Sequence, residues 1–372
     1  MSKKITASLI RNLTKNLLVD NLIPEIKKKD TNEFKIGNNF FYEMKNEKIQ
    51  HIQRIINIIF QKNIPLNNSA IAFRKNLSYL HLFEPHRKNY YFLRLDIKSF
   101  FHSIEMNYLK EGLEIYFDEK DKYINKEKKQ TALDGCINLI TYKIPNDSLN
   151  EKFKNQQVVP MGFITSPVIS NIIFRKIDIQ IQKLCAQHNI TYTRYADDML
   201  FSSNNKNNFV HSENFEKEII IIINQMNFKL NSHKTVKKKH TISLNGYTIE
   251  YSKKEKVFLK IYQEKLINEF RLSNKKIYII YKLIHMIEKE NKSPQYILKK
   301  LFNYKLSTQV PSSKKTKYET EQLQNKIAGY RSYILSFINF DKKYNCLQNN
   351  TRKKYINIIE TLNKIIDKYN KN

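Results

Sequence analysis

The chain has 372 residues, with 65 Lys and Arg against 35 Asp and Glu, a formal net charge of +30. A hydrophobic share of 41% with 12% aromatics excludes a disordered chain, which lacks the apolar surface needed to offset ordering entropy. The charge attracts polyanions and makes nucleic acid the first partner to test, while three scattered cysteines, Cys136, Cys185 and Cys346, exclude a disulfide framework and argue against a structural zinc site. Part of the lysine surplus is a codon effect, since six Gly, no Trp and abundant Ile, Asn and Lys mark an A/T-rich genome.

In chain order, residues 1–60 read as amphipathic helix broken near Pro24 and at Gly37-Asn38-Asn39, with Ile49, Ile52, Ile55, Ile56 and Ile59 at helical spacing. Short apolar strands follow over 91–97, 190–195, 199–202 and 241–249, with helices over 166–187 and 215–227 between them. Residues 105–157, polar and Lys-rich without a period, read as a helical insertion facing solvent or ligand. After Tyr251 the chain reads as helical and basic, interrupted by a loop over 307–316. Strands alternating with helices fit an α+β domain of the split βαβ kind, an antiparallel sheet backed by helices. The N-terminus lacks a signal-peptide apolar core, and the longest apolar run, residues 219–223, falls far short of the roughly 18 residues of a membrane span. A cytoplasmic protein in a reducing compartment is the expectation.

Adjacent aspartates, Asp197 and Asp198, fall where one strand turns into the next, and Asp96 ends another apolar strand. At a hairpin tip both carboxylates can reach toward one point. Three converging carboxylates repel one another unless divalent cations neutralise them, and oxygen ligands of this kind suit Mg²⁺. Two such ions about 4 Å apart can activate a 3′-hydroxyl and stabilise departing pyrophosphate. By itself an Asp-Asp pair at a turn is ordinary solvated turn chemistry, so the neighbouring motifs decide.

Those motifs resemble the reverse transcriptases. Arg94-Leu-Asp96-Ile-Lys-Ser-Phe-Phe101 is similar to their motif A, Pro160-Met-Gly162-Phe-Ile-Thr-Ser166-Pro167-Val-Ile-Ser170-Asn171 to motif B and Tyr195-Ala-Asp-Asp198 to motif C. Leu230-Asn-Ser-His-Lys234-Thr235 resembles motif D, and Leu244-Asn-Gly246-Tyr247 the primer-grip hairpin. The resemblance implies a right-hand polymerase fold, with N-terminal helices and fingers over 1–90, a palm over 91–250 and a helical, basic, RNA-binding thumb region over 251–372. It also implies that Asp96 and Asp198 bridge two Mg²⁺ ions, Mn²⁺ being the substitute, with Asp197 completing the cluster and the Ile97 carbonyl as an extra ligand.

Phe101 falls where the family places a ring under the incoming sugar, so deoxynucleotides are preferred. Met161 stands where many of these enzymes have Gln, and Gly162 lets backbone approach the nucleotide or template closely. Arg74 and Lys75 resemble the fingers cations that hold the triphosphate. Lys234 resembles the lysine that protonates or stabilises pyrophosphate, although it also belongs to a run with Lys237, Lys238 and Lys239. Gly246 and Tyr247 would hold the primer end, a plain hairpin turn being the competing reading. Tyr330, Arg331 and Tyr333 could stack on bases or bind phosphates of RNA, unless the tyrosines are core.

The texture is bacterial, resembling retron and defence-associated (Abi and unknown-group) enzymes and, less closely, those of group II introns. Leu82-Phe-Glu-Pro-His86 keeps only the final His of the retron block, and Val-Thr-Gly is missing after the primer grip. Both departures favour the defence-associated branch, and His86 reads as a packed or exposed rather than catalytic residue. The implied activity is RNA-directed DNA synthesis in an antiphage system, with a structured non-coding RNA, an RNA/DNA duplex and dNTP as partners and no membrane. The alternatives are a retron-type enzyme making RNA-linked DNA, one of two partner reverse transcriptases, and a relic RNA-binding scaffold; an effector protein and a second copy of the chain are further candidate partners.

Overall fold

The computed structural model describes residues 4–15, 17–18, 22–258, 261–304 and 311–371. The chain forms two compact units, Met1–Leu82 with Tyr91–Lys237, and Phe83–Tyr90 with Lys238–Asn372. None of the described helices is long and apolar enough to cross a membrane.

The first unit begins with α1 (Ala7–Thr14), capped by Thr6, whose hydroxyl accepts from the Leu9 N–H at 3.1 Å. A hairpin of β1 (Thr31–Ile36) and β2 (Asn39–Met44) follows, where helix was expected. Gly37, at φ +59, takes the first of two loop positions, so that Ile36 faces Asn39 and the register runs out to Thr31↔Met44. That slot favours glycine. Buried Tyr42 and Met44 flank exposed Glu43, a period of two that outweighs helical spacing. The next helix, α2 (Glu47–Asn63), is capped by Asn46 and buries Ile49, Ile52, Ile56 and Ile59, each contributing about 1.5–3 kcal/mol.

The strand β3 (Tyr91–Asp96) leads into residues 105–157, which also differ from expectation. They hold two nine-residue helices, α3 (Met106–Glu114) and α4 (Ala132–Ile140), and two short ladders, Tyr123–Asn125 with Gln130–Thr131 and Tyr142–Lys143 with Gln157–Val158. Leu109, Leu113, Cys136, Leu139 and Ile140 are fully buried, so the two helices wall the core while the lysines of the connecting loops face solvent. Helices this short give too few turns for a period to show among the lysines of the connecting loops.

The long helix α5 (Ser166–Gln187) starts at Ser166-Pro167 as the sequence indicated, and buries Ile169, Phe174, Ile177 and Ile181 together with Ser170, Asn171 and Asp178. After it come β4 (Thr191–Tyr195), β5 (Asp198–Ser203) and α6 (Glu213–Asn224), whose cap Ser212 accepts from the Phe215 N–H at 3.1 Å. The strand β5 lies between antiparallel neighbours, pairing with β3 from Tyr91↔Ser203 to Asp96↔Asp198 and with β4 from Thr191↔Ser202 to Tyr195↔Asp198.

One glycine in this unit is structurally committed. Gly162 sits at φ +112, and a Cβ there would lie 2.6 Å from the Tyr42 carbonyl oxygen. The close approach that glycine allows is made to the β2 backbone, whose Tyr42 N–H also donates to the Met161 carbonyl at 2.8 Å. Gly162→Ala should therefore cost at least about 1–3 kcal/mol, read as a lower urea midpoint with an unchanged slope.

In the second unit, β6 (Thr241–Leu244), β7 (Tyr247–Phe258) and β8 (Ile261–Leu272) form an antiparallel sheet in that order.

 The expectation of helix from Tyr251 onward is corrected here, because β7 and β8 pair from Tyr247↔Leu272 to Phe258↔Ile261. Buried Ile249 and Tyr251 on one strand and Phe270 and Leu272 on the other anchor that ladder, whereas the intervening Lys and Glu gave the stretch the look of a charged helix. Helices then follow as α7 (Asn274–Glu288), α8 (Pro294–Phe302), α9 (Lys315–Tyr344) and α10 (Asn349–Lys371). Of the loop expected over 307–316, residues 307–310 lie outside the described residues, and Ser312–Lys314 form a single tight turn. His86 is fully buried, a packed residue whose burial lowers its pKa to about 3.

Candidate active site

Tyr195 and Asp198 close a two-residue turn, Ala196-Asp197, between β4 and β5. Ala196 takes a positive φ of +55, a conformation that costs a non-glycine residue and persists only when its surroundings hold it. Arg194 does so: its Nη1 donates to the Ala196 carbonyl at 2.9 Å, while Nε and Nη2 donate to Asp178 of α5 at 2.9 and 2.7 Å. Both charged side chains are completely buried, and the Tyr192 hydroxyl adds a third bond to Asp178 at 2.7 Å. The guanidinium also lies 4.6 Å from the Phe174 ring. From the other side the Ile97 N–H donates to the Asp197 carbonyl at 3.0 Å, tying the turn to the end of β3.

The register sets Asp96 directly opposite Asp198, with Asp197 in the turn beside them. Arg94 reaches both paired residues, its Nε donating to Asp198 Oδ1 at 2.8 Å and its Nη2 contacting Asp198 and lying 3.9 Å from Asp96 Oδ2. Lys234 donates to Asp96 Oδ2 at 3.0 Å; its side chain is 52% exposed against 3% for Asp96, so the lysine is free to swing away while the carboxylate stays. Burial and then the Asp198 charge raise the Asp197 carboxyl to about 6, and burial raises Asp198 against the pull of Arg94.

Among the described residues no set of three or more His, Cys, Asp or Glu side chains is gathered as a ready metal cage. Arg94 and Lys234 each hold one carboxylate oxygen there, Asp198 Oδ1 and Asp96 Oδ2. The donor chemistry nevertheless fits a hard divalent cation, since Asp197 remains raised, first by burial and then by the charges of Asp198 and Asp96, even with both cations in place.

Around the turn, the segment bearing Arg74 and Lys75 is pinned to the same elements. The Ile71 N–H donates to the Arg194 carbonyl at 2.8 Å, and Asn171 Nδ2 of α5 donates to the Ala72 carbonyl at 2.8 Å. Arg74 and Lys75 line a cleft of about 600 Å³ together with Lys62 and Phe73. Part of Arg74 is spent on the chain itself, Nη1 donating to the carbonyls of Asn67 and Ala70 at 3.1 and 3.2 Å. The half-buried ring of Phe101 stands 6.5 Å from Phe73, which is itself 6.3 Å from Tyr195. Met161 is half-buried next to Gly162.

The sequence profile described as Reverse transcriptase (RNA-dependent DNA polymerase) matches residues 26–249, more than half of the chain. The chain belongs to the reverse transcriptase family. Its fold is the right-hand polymerase fold that the motifs implied, mixed helix and sheet. This reverse transcriptase is similar to the Retron Ec73 reverse transcriptase of Escherichia coli, 34% identical over 165 residues that make up 43% of this chain and 48% of that protein. Retron Ec83 reverse transcriptase of the same organism is 27% identical over 209 residues, 56% of this chain and 63% of its own length. The matches therefore span about half the length of these curated relatives. Among solved structures, telomerase from Candida albicans with a TWJ fragment of telomeric RNA is 9% identical, with a TM-score of 0.44 over 98% of this chain and 66% of the other.

The remaining candidate residues of this family member lie in its second unit. Asn245 and Gly246 form the turn between β6 and β7 at φ +48 and +93, so the glycine answers a backbone need. Tyr333 donates its hydroxyl to the Gly246 carbonyl at 3.0 Å, and its ring lies 5.5 Å from Tyr247, which also stacks near Phe337 at 5.9 Å. Tyr330 packs 6.1 Å from Phe302, and Arg331 Nε donates to Asn363 of α10. Arg94, Arg194, Asp178 and Phe73 drew no functional reading from sequence. Basic residues carry little signal in so basic a chain, and the Arg194–Asp178 pair is formed between a strand and a helix.

Proposed function

We propose that this reverse transcriptase is an RNA-directed DNA polymerase that adds deoxynucleotides to a primer 3′-hydroxyl or priming group. The observation that carries the reading is the register of Asp96 against Asp198 with Asp197 in the adjoining turn, inside the segment matched to the family. Asp96, Asp197 and Asp198, with the Ile97 carbonyl as a further ligand, would hold two divalent ions, Mg²⁺ or Mn²⁺, which when bound would acidify the attacking hydroxyl and stabilise the leaving pyrophosphate. The chain's own groups do the rest. Lys234, half exposed, can leave Asp96 and offer its proton to the leaving group. Arg74 and Lys75 neutralise the triphosphate, with Met161 and Gly162 beside the nucleotide, and Gly246 and Tyr247 hold the primer end. Residues 1–90 serve as N-terminal helices and fingers, 91–250 as palm and 251–372 as thumb, where Tyr330, Arg331 and Tyr333 form or support an RNA surface.

Phe101 blocks a 2′-hydroxyl. Phe101→Ala should lower the preference for deoxynucleotides over ribonucleotides by about 10–200-fold, measured as the ratio of kcat/KM values.

The setting we propose is the cytoplasm of a bacterium and an antiphage system in which a structured non-coding RNA supplies template or primer, with a second reverse transcriptase, an effector or a second copy as candidate partners. The motif A and motif C texture supports it. A retron-type enzyme making RNA-linked DNA is the second reading, favoured by the names of the two relatives. Purified protein with its co-purifying RNA, Mg²⁺ and labelled dNTPs tests both. Labelled DNA is expected, and its shift in mobility after ribonuclease treatment would favour the retron reading; absence of DNA with every primer and metal would reject polymerase activity.

A further inference from the structure

Residues 96–98 run antiparallel to residues 229–231. The Asn231 N–H donates to the Asp96 carbonyl at 2.7 Å, the Lys98 N–H donates to the Lys229 carbonyl at 2.8 Å, and Ile97 bridges Leu230. Alternate residues of an extended segment share a face, so Asp96 and Lys98 project together, opposite buried Ile97. Lys98 and Lys229 stand on the wall of a cleft of about 500 Å³ that Lys152 and His102 also line.

Three lysines line the cleft with one carboxylate, Glu105, which already accepts from Asn227 Nδ2 at 2.8 Å, and Lys152 Nζ donates to Ser99 Oγ at 3.3 Å. Burial, then Lys98 and Lys229, hold Lys152 below the usual lysine range. His102 is only 9% exposed, its ring stacked 5.2 Å from Phe153, and its Nε2 is buried without a hydrogen-bond partner. Burial lowers its pKa to about 4, so the ring is neutral and the cleft's positive charge is carried by the lysines. Gathered like charge beside an unsatisfied buried nitrogen suits an anionic ligand able to meet both needs. Lys98 follows Asp96 by two residues, a rise of about 7 Å in extended backbone.

We propose that this cleft is a subsite for a linear polyphosphate, pyrophosphate in particular, held by Lys98, Lys152 and Lys229 with His102 Nε2 as an added contact. Its role as a holding place for the leaving group rests on the polymerase reading; its affinity for the anion does not. Calorimetric titration of the full chain with sodium pyrophosphate in magnesium-free buffer should show one saturable site. The site should weaken at least tenfold in Lys152→Ala/Lys229→Ala, and should be no weaker in Asp197→Asn/Asp198→Asn. Lys299→Ala/Lys300→Ala, which removes the same charge from two exposed lysines elsewhere, should bind as the unaltered chain does. Equal loss in both lysine pairs, or displacement of the anion by single-stranded DNA as readily as by tripolyphosphate, would overturn the subsite. In a polymerising preparation, product inhibition by pyrophosphate should weaken in step with binding; inhibition unchanged in Lys152→Ala/Lys229→Ala would overturn the leaving-group role alone.

Discussion

Asp178→Asn is expected to lower stability by about 3–5 kcal/mol, and DNA synthesis is expected to fall with it, because the change leaves the buried Arg194 guanidinium without its countercharge. Denaturant titration and primer extension on the soluble fraction read the two effects. Stability alone does not explain the arrangement, since a well-packed apolar pair can replace a buried ion pair at little cost. The double change Arg194→Met/Asp178→Leu should recover much of the lost stability. Synthesis should stay low, because no guanidinium remains to hold the Ala196 carbonyl and the turn that presents Asp197 and Asp198. Recovery of both together would reduce Arg194 to a packing residue.

The second large effect falls on the carboxylates and has opposite signs for activity and stability. Asp197→Asn/Asp198→Asn should reduce nucleotide incorporation on the order of 10³-fold or more, since on the proposed reading these groups organise charge at the reacting phosphate. In metal-free buffer the single change Asp197→Asn should stabilise the fold at pH 7. The Asp197 carboxyl titrates near 6 in the folded chain, against about 3.9 when unfolded, so its charged form opposes folding by up to about 3 kcal/mol. That penalty is complete above pH 6 and fades between pH 6 and pH 4, as the folded carboxyl becomes protonated. The stabilisation conferred by asparagine should fade over the same window. Melting curves at pH 7 and pH 4 check the sign; a variant less stable than the unaltered chain at pH 7 would mean that Asp197 is held by contacts favouring its charge.

The centre of the site was legible because its chemistry is written in short contiguous strings. Asp96 closes one apolar strand and Asp197-Asp198 opens another, so the alternation of apolar residues already brings the carboxylates to strand ends, and the Ser166-Pro167 start of α5 announces its helix. What holds those strings in place was not legible. Arg194 meets Asp178 across a strand and a helix, and Arg94 meets Asp198 across two paired strands, partnerships that depend on tertiary register. The β1–β2 hairpin and the β7–β8 ladder were read as helix because local spacing of isoleucine or alternation of Lys and Glu resembles a helical face until strand pairing decides. Gly162 was read as a point of close approach to nucleotide or template, and the close approach found in the fold is to the Tyr42 backbone.

The claim on which the chemistry depends is that Asp96 and Asp198 exchange their contacts with Lys234 and Arg94 for divalent cations. Titration with Mn²⁺, following the free aqua ion by electron paramagnetic resonance in the presence of primer, template and dNTP, tests it most directly. The unaltered chain is expected to bind two ions that Mg²⁺ displaces, and Asp96→Asn/Asp198→Asn is expected to lose both. Equal binding by the two proteins would contradict the assignment of these carboxylates as the metal centre.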